Sequence, residues 1–583
     1  MSRSSIKFCI QQYQKARLCF IQTMCSFADK PHTLPLLKEF RIRNLIEPLL
    51  TDPTEAIEHA AVSFLAKLIC TKETNSRHIL ATGLMKKVLK HFHRRNNHYK
   101  ITALHMMGCA SPQHAKIDKL IHKHMYGITA GLQDFDLNIR TSTAMALGNI
   151  ARNNKVLAER IIQVDAVPDL IRMLSSKEPS LKHAAAFALD NLIKTGPELA
   201  EAVEESTVIP ALVKNLQHDY HKIRSDAFQC LADMARQSPG MANKVATTQV
   251  ISNTVQHLYY PDKEVQKNAA NLLRDLCKHN LRFVDMVVNE GGLDAFLEII
   301  DEEYGSKTLP AIISVGYMAA QSEELSRHII AVFGITRLRE ILQNELQDSQ
   351  EKTDNKQEKQ RKNCEEQLQV AAAWTLGQIG KHSVENVTSL SEEKVLLTLF
   401  DKTIQPSASD NLKHKCRNAL NLLIPKCEDW TVLEVMFLGN DSEELWPSLL
   451  CAFSKIIPCD PHARRSFVRS HCLAKMIMIE EKAEYLPYMR KIYDCFPDEV
   501  VDLESPNYLK YLMKTLKKFQ PPNAVQCPGT PSSESSESLQ SDDGAERSMD
   551  SVCNAPDKNT KASNAPTETS MKSRKLSSTA LRR

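Results

Sequence analysis

No apolar run of about 18 residues, the length that a membrane-spanning helix needs, occurs in the 583-residue sequence. The N-terminal stretch MSRSSIKFCIQQYQKAR has only a few apolar residues before Gln11, so it lacks the pattern of a secretory signal. The 16 cysteines are scattered and include no CxxC pair. These absences predict a cytoplasmic protein with reduced thiols and without membrane insertion.

Motifs for nucleotide, metal or acyl-transfer chemistry are also missing. The sequence has no phosphate-binding glycine loop and no HExxH, GxSxG or EF-hand pattern. Two histidine groups could in principle ligate zinc, but neither has a cysteine or carboxylate at a fixed spacing, and solvated basic helix ends are favoured instead: His91, His93 and His98, then His122 and His124. We therefore predict no enzyme activity, no cofactor and no metal site. The net charge of +4 is too small to predict nucleic-acid binding by the whole molecule.

The sequence is rich in one feature, a repeat of about 42 residues. Residues 181–196, LKHAAAFALDNLIKTG, place small residues beside large apolar ones at helical spacing. Taking the first residue of this segment as position 1, equivalent segments begin at Tyr13, Ile57, Tyr99, Ile139, Leu181, Ile223, Val265, Leu309, Leu368, Leu412 and Leu445. Eight of the ten intervals are 40 to 44 residues long, which indicates a helical solenoid.

Each unit has the same internal order, which predicts the class of solenoid. The alanine-rich helix is followed by a polar turn, a short amphipathic segment and a longer apolar one, as in residues 195–216. Three helices in about 42 residues predict an all-α fold, a right-handed armadillo-type α-solenoid. A HEAT repeat, which has two helices in a similar length, is the near alternative.

Changes in composition predict the domain limits. Residues 1–56 are assigned to an N-terminal cap and first repeat, and residues 57–460 to the solenoid. The segment 343–367 is nearly free of apolar residues and is predicted to be a solvated loop inserted between repeats. Residues 461–520, where the period is lost, are predicted to be C-terminal capping helices. Residues 521–583 are predicted to be a disordered tail, first rich in serine and acids and then basic, and Ser577 in the basic part is a possible phosphosite.

Cations recur at two positions of the repeat, and asparagine at a third. Because alanine-rich helices line the concave groove of armadillo proteins, these columns are the candidate partner-binding residues. Position 14 holds Arg152, Lys194, Arg236, Lys278 and Lys381; position 2 holds Lys100, Arg140, Lys182, Arg224 and Lys413; position 11 holds Asn149 and Asn191, then Asp233 and Asp275. A cation every 10 Å or so would suit an extended acidic peptide. The alternative is that position 14, near the helix C-terminus, merely stabilises the helix dipole.

Five segments give the chain a family resemblance: QQYQKAR (11–17), GLQDFD (131–136), AAAWTLGQIGKHS (371–383), SKIIPCDPHARRSFVRS (454–470) and CFPDEVVDLESPNY (495–508). With them the chain resembles the axonemal central-pair armadillo family, the sperm-associated antigen proteins of cilia and flagella. The resemblance extends from about residue 5 to about residue 522. Turns 164–166, 206–208 and 247–249 lack the Gly-Ala of that family, which makes this chain a divergent member.

The resemblance implies a non-enzymatic scaffold on the central microtubule pair that supports flagellar motility and sperm function. The implied partners are other axonemal or central-pair proteins and tubulin, and the implied location is the cytoskeleton of the cilium or flagellum. The alternative is a soluble armadillo adaptor in intracellular transport or signalling.

Overall fold

The structure is a computed structural model of the chain. The described residues are 3–30, 33, 42–70, 83–90, 92, 96–110, 115–302, 308–333, 335–343, 355–440, 442–479, 482–505 and 507–518. Residues 1–513 form one compact unit, and residues 514–583 form a second, of which 514–518 are described. The predicted tail and Ser577 lie outside the described residues.

Helices and turns account for the described part of the chain, and β-strands are absent from it. Within the described residues, 3₁₀ segments include Glu47–Thr51, Ala130–Gln133, Ile424–Lys426 and Glu443–Leu445. The α-helices are α1 (Arg3–Ala28), α2 (Ile42–Ile46), α3 (Glu55–Cys70), α4 (Leu84–Lys90), α5 (Asn97–Ala110), α6 (Ala115–Thr129), α7 (Leu137–Asn153), α8 (Lys155–Gln163), α9 (Ala166–Leu174), α10 (Pro179–Lys194), α11 (Pro197–Glu205), α12 (Val208–Asn215), α13 (His221–Gln237), α14 (Pro239–Val245), α15 (Thr248–Leu258), α16 (Lys263–Cys277), α17 (Leu281–Asn289), α18 (Gly292–Glu302), α19 (Thr308–Gln321), α20 (Glu323–Phe333), α21 (Thr336–Gln343), α22 (Asn355–Gly380), α23 (Val384–Glu392), α24 (Val395–Ile404), α25 (Asp410–Leu423), α26 (Trp430–Gly439), α27 (Trp446–Ile456), α28 (Pro461–Arg469), α29 (Cys472–Met478), α30 (Leu486–Tyr493), α31 (Asp498–Glu504) and α32 (Tyr508–Lys518).

From α7 to α24 the chain repeats one unit of a long helix and two shorter ones, which confirms the armadillo-type solenoid over the two-helix alternative. The long helices α1, α3, α5, α7, α10, α13, α16, α19, α22 and α25 each pack against the next in the series. Ala185 and Ala188 of α10 are fully buried, so the stacked helices are held by small side chains where they approach.

The predicted register holds in most repeats, with two corrections. The position-1 residue Tyr13 of α1 is 65% exposed and does not belong to the core. The position-1 assignment in the repeat of α19 is also wrong, because Leu309 stands two residues after the residue that holds this position. Between α10 and α13 the position-8 side chain of Cys230 donates to the carbonyl of Ala186, which stands at position 6 of the preceding repeat. The equivalent bond, from Thr375 Oγ1 to the carbonyl of Ile312 at 3.0 Å, places position 1 at residue 307.

In five of the repeats the junction between the two short helices has one residue with a left-handed backbone. Gly291 has φ of 81° there, and non-glycine residues adopt the same conformation in other repeats: Asp165, Thr207, Lys394 and His471. An L-residue with a Cβ is strained in this region by about 1–2 kcal/mol. The divergent turns at 164–166 and 206–208 therefore keep the geometry that glycine favours, at a cost in stability.

Replacing Thr207 by glycine is expected to raise the free energy of unfolding by about 1 kcal/mol. Thr207 is exposed, has φ of 60°, and its side chain makes no helix-capping hydrogen bond, so glycine relieves strain without losing a contact. Thr247→Gly is the matched control, because Thr247 has φ of −91° and its hydroxyl caps α15 by accepting from the Val250 amide. Thermal or chemical unfolding should show opposite signs for the two variants; destabilisation by Thr207→Gly would contradict the strain.

The polar insert is helical over much of its length, so the loop prediction is wrong for residues 355–367. These residues form the first turns of α22, which continues without a break to Gly380. Arg361 and Glu365 pair one turn apart on this extension, at 3.6 Å. Charged residues at this spacing stabilise a solvated helix, which is why a segment without a core can still be helical. Residues 344–354 lie outside the described part.

The period does not stop at residue 460. Tyr485 is buried and stands 40 residues after the buried Leu445, α30 packs against α27, and α29 packs against α26. The repeats here are shorter and their core is aromatic, with Phe437, Phe453 and Phe467 at ring-centroid distances of 5.2 to 6.2 Å. Shortened units end the stack without an abrupt change of architecture.

Among the described helices none combines the length and hydropathy needed to cross a bilayer.

Candidate functional site

The candidate site is the groove face, defined as the side of helices α7, α10, α13 and α16 left uncovered by the short helices. The stacking buries most of each long helix and leaves positions 7 and 14 partly open. On α10 these are Phe187, half-buried, and Lys194, 42% exposed. The position-11 residues are partly or fully buried: Asn149 is half-buried, whereas Asn191 and the equivalent Asp233 and Asp275 are buried.

The central cations of position 14 are paired with buried carboxylates. The Lys194 ammonium lies 2.5 Å from Asp190 Oδ2 on its own helix and 3.2 Å from Asp233 Oδ2 on the next. One repeat further, Arg236 lies 3.0 Å from Asp233 Oδ1 and bridges to Asp275 of α16.

Two arginines contact Asp275. Arg236 Nη2 lies 3.1 Å from Asp275 Oδ2, and Arg274 Nη2 lies 2.8 Å from Asp275 Oδ1. We call these six residues the acid–base chain: Asp190, Lys194, Asp233, Arg236, Asp275 and Arg274. It contains three carboxyl groups and three basic groups. The predicted ladder of cations is therefore paired with acids in this region, because position 14 of one repeat meets an acid at position 11 of the next.

Burial and mutual contact shift the protonation equilibria of the chain. Desolvation, together with the neighbouring Asp233 carboxylate, raises the pKa of Asp190 to about 7. Burial alone would lower the pKa of Lys194, but the carboxylates of Asp190 and Asp233 outweigh it and raise the pKa. Arg236 behaves likewise: burial opposes its charge, and Asp275 and Asp233 raise the pKa overall. The cations therefore stay charged, and Asp190 is the group that titrates near neutral pH.

The remaining position-14 cations differ in their surroundings. Lys381 donates to the carbonyl of Ala320 at 2.7 Å, at the end of the preceding long helix, which is the helix-capping role considered as the alternative. Arg152 and Lys278 are exposed, and within the described residues the structure gives neither of them an ion pair. These two side chains are the open cations of the column.

The position-2 cations point to the turns that precede the next long helix, not to the acid–base chain. Lys100 pairs with Asp134 at 3.3 Å, and Lys182, which is 7% exposed, donates to Asn215 at 2.6 Å. Arg224 is buried and donates to the hydroxyl of Tyr260, over whose ring it also lies at 4.1 Å. Arg140 and Lys413 are half-buried. The structure thus does not bring the two cation columns together on one surface.

A depression of about 560 Å³ lies on the groove face between α7 and α10. Its lining includes Arg152, Phe187, Asp190, Asn191 and Lys194. The Asn191 amide donates to the Phe187 carbonyl of its own helix at 2.7 Å. An open cation, a half-buried aromatic ring and a compensated ion pair together suit a polypeptide segment with mixed apolar and acidic side chains.

Within the described residues, Cys70, His105 and Cys109 form a group of potential metal ligands that the sequence analysis did not identify. Their ligand atoms lie within 4.8 Å of one another. They occupy positions 14, 7 and 11 of the repeat and so lie in the same columns as the groove-face residues. The signal was available, since position 14 meets position 11 of the next repeat throughout the acid–base chain.

Three-helix units stacked through their long helices, with one uncovered face, define an armadillo-type repeat protein. The chain is similar to Sperm-associated antigen 6 of Mus musculus, with 32% identity over 159 residues, and to that of Homo sapiens, with 32% identity over 161 residues. Each match covers 27% of this chain and 31% of the relative, so the chain spans about a third of the length of the curated relatives it matches. The predicted resemblance to a divergent relative is confirmed over 159 to 161 residues, which is less than the predicted span from about residue 5 to about residue 522. No family model matches the chain.

One solved structure supports the fold. An engineered protein from a structural genomics consortium aligns with a TM-score of 0.56 and 18% identity, over 69% of this chain and 94% of that chain. A designed armadillo repeat protein aligns with a TM-score of 0.38 and 17% identity, over 44% of this chain and 99% of that chain. At 18% identity, the similarity to the engineered protein supports the fold and nothing further.

Proposed function

We propose that this chain is a non-enzymatic protein-interaction scaffold of the ciliary or flagellar axoneme, at the microtubule central pair. The observation that carries the proposal is the similarity to sperm-associated antigen 6, at 32% identity over 159 to 161 residues. The armadillo architecture supports a protein-binding role, because stacked repeats present an extended concave surface.

The groove face is the proposed contact surface for an extended segment of an axonemal partner or of tubulin. The acid–base chain is internally compensated, so an acidic segment would be held by the open cations. Arg152 and Lys278 stand three repeats apart, about 30 Å at 10 Å per repeat. A partner that reaches both must be extended, and the depression beside Arg152 would accept one of its apolar side chains.

Retention in the axoneme is the expected result that tests this function. A tagged chain expressed in a ciliated or sperm cell should localise to the axoneme and stay with it through mild detergent, leaving only at high salt. Ionic contacts at an exposed surface are screened by salt, which explains the release. A diffuse signal, or complete extraction by mild detergent, would contradict the proposal and favour an adaptor in transport or signalling.

The same assay separates the groove from the rest of the surface. The double variant Arg152→Glu with Lys278→Glu should lose retention, because it repels an acidic segment at both ends of the groove. Lys119→Glu with Lys244→Glu makes the same change of charge at exposed positions on the short helices α6 and α14 and should be retained like the wild type. Equal retention of both double variants would exclude the groove cations as the contact.

A further inference from the structure

Two thiols and an imidazole lie close together where helices α3 and α5 are in contact. Cys70 is the last residue of α3, and His105 and Cys109 stand four residues apart on α5. Residues at this spacing share one face of a helix. Because α3 packs against α5, that face meets the end of α3.

The repeat register explains why Cys70 meets Cys109. Position 14 of one long helix contacts position 11 of the next in Lys194–Asp233, at 3.2 Å, and in Arg236–Asp275, at 3.1 Å. Cys70 and Cys109 hold these same two positions in earlier repeats. The thiols thus replace an ion pair of the later repeats, and His105 adds a third donor from position 7.

The three ligand atoms are close enough together to hold one metal ion. All three ligand atoms lie within 4.8 Å of one another, and Cys70 Sγ is 3.8 Å from His105 Nδ1. Tetrahedral zinc, with bonds of about 2.3 Å to sulfur and 2.0–2.1 Å to nitrogen, requires sulfur and nitrogen about 3.6 Å apart. The three side chains are half-buried or exposed, so rotation of each by up to about an ångström can close the remaining distances to those of a tetrahedral site.

We propose that Cys70, His105 and Cys109 bind one zinc ion at the contact between α3 and α5, with a water molecule as the fourth ligand. Two thiolates and one imidazole select zinc over magnesium or calcium, which take oxygen ligands. Binding releases the thiol protons, and the ion links the end of α3 to the middle of α5. This site replaces the prediction that the chain binds no metal, and it holds whether or not the chain is axonemal.

The test uses the full chain, purified under reducing conditions without a histidine tag. Elemental analysis should find about one zinc per chain after dialysis, and Co²⁺ in its place should give thiolate-to-metal charge-transfer absorption. Cys70→Ser, Cys109→Ser and His105→Ala should each weaken zinc binding by more than about 100-fold, since even the hydrogen-bond partners of zinc ligands are worth about 10–100-fold.

Cys25→Ser is the matched control, because Cys25 is a half-buried thiol on the neighbouring helix α1 and lies outside the cluster. It should bind zinc as the wild type does. Added zinc should raise the unfolding temperature of the wild type and of Cys25→Ser but not of the ligand variants. Three results would overturn the proposal: no zinc and no charge-transfer band in the wild type, unchanged binding by the Cys109→Ser variant, or a Cys70–Cys109 disulfide in place of the metal.

Discussion

Replacing Gly148 by leucine is expected to lower the free energy of unfolding by about 3 kcal/mol or more, because α7 and α10 touch at this glycine. A Cβ at Gly148 would lie 2.7 Å from Phe187 Cδ1 and 3.0 Å from the Ala188 Cα. The Phe187 ring could rotate away, but the backbone of α10 could move only by separating the two helices. Even a methyl group is therefore too large, and a leucine side chain has no room.

Gly240→Leu is the matched control for this substitution. Gly240 is exposed in α14, and a Cβ added there would have Ser238 Oγ, at 3.8 Å, as its nearest neighbour. Leucine there should change stability by less than about 0.5 kcal/mol or raise it, since leucine favours helix more than glycine does. In a repeat array a local defect opens neighbouring units first. Hydrogen exchange should show lost protection in α7 and α10 of the Gly148→Leu variant, and full protection there would contradict the close packing.

The repeat could be predicted from the sequence because every long helix must bury the same pattern of side chains. Leu181, Ala185 and Ala188 are buried as the period requires. The register failed in α19, where the polar insert before Leu368 lengthens one interval and no neighbouring repeat fixes the start. Cross-repeat hydrogen bonds were needed to find it, and such bonds are not visible in a periodic pattern of apolar residues.

The properties of the groove were harder to predict, because they depend on pairs of repeats. A column of cations at position 14 looked basic when each repeat was considered alone. The contact between position 14 and position 11 of the next repeat turns Lys194 and Asp233 into a compensated pair, and Cys70 and Cys109 into adjacent thiols. Comparing these two positions across successive repeats of the sequence would find both.

The second large effect concerns pH, because Asp190 titrates differently in the folded and unfolded chain. Its pKa is raised to about 7 by burial and by the neighbouring Asp233, whereas an unfolded aspartate has a pKa of about 3.9. Between these values the folded chain holds a proton that the unfolded chain has released. The contribution of Asp190 to the free energy of unfolding is therefore fully present below about pH 4 and is lost as the pH rises through about 7.

Asp190→Asn is expected to remove most of this loss, which we put at a few kcal/mol and at most about 4 kcal/mol. Asparagine resembles the protonated carboxyl group, so its amide can donate to Asp233 while Lys194 keeps Asp233 as its ionic partner at 3.2 Å. At pH 8 the variant should be more stable than the wild type, and between pH 5 and pH 8 its free energy of unfolding should fall less.

Asp285→Asn, which removes an exposed carboxylate on α17, should leave the slope of the wild type unchanged. Chemical denaturation at a series of pH values measures both slopes, and parallel curves for Asp190→Asn and the wild type would show that Asp190 is ionised in the fold at neutral pH. In that case the acid–base chain would carry a full negative charge at this carboxylate, and the groove beside Arg152 would favour a less acidic partner than the one proposed.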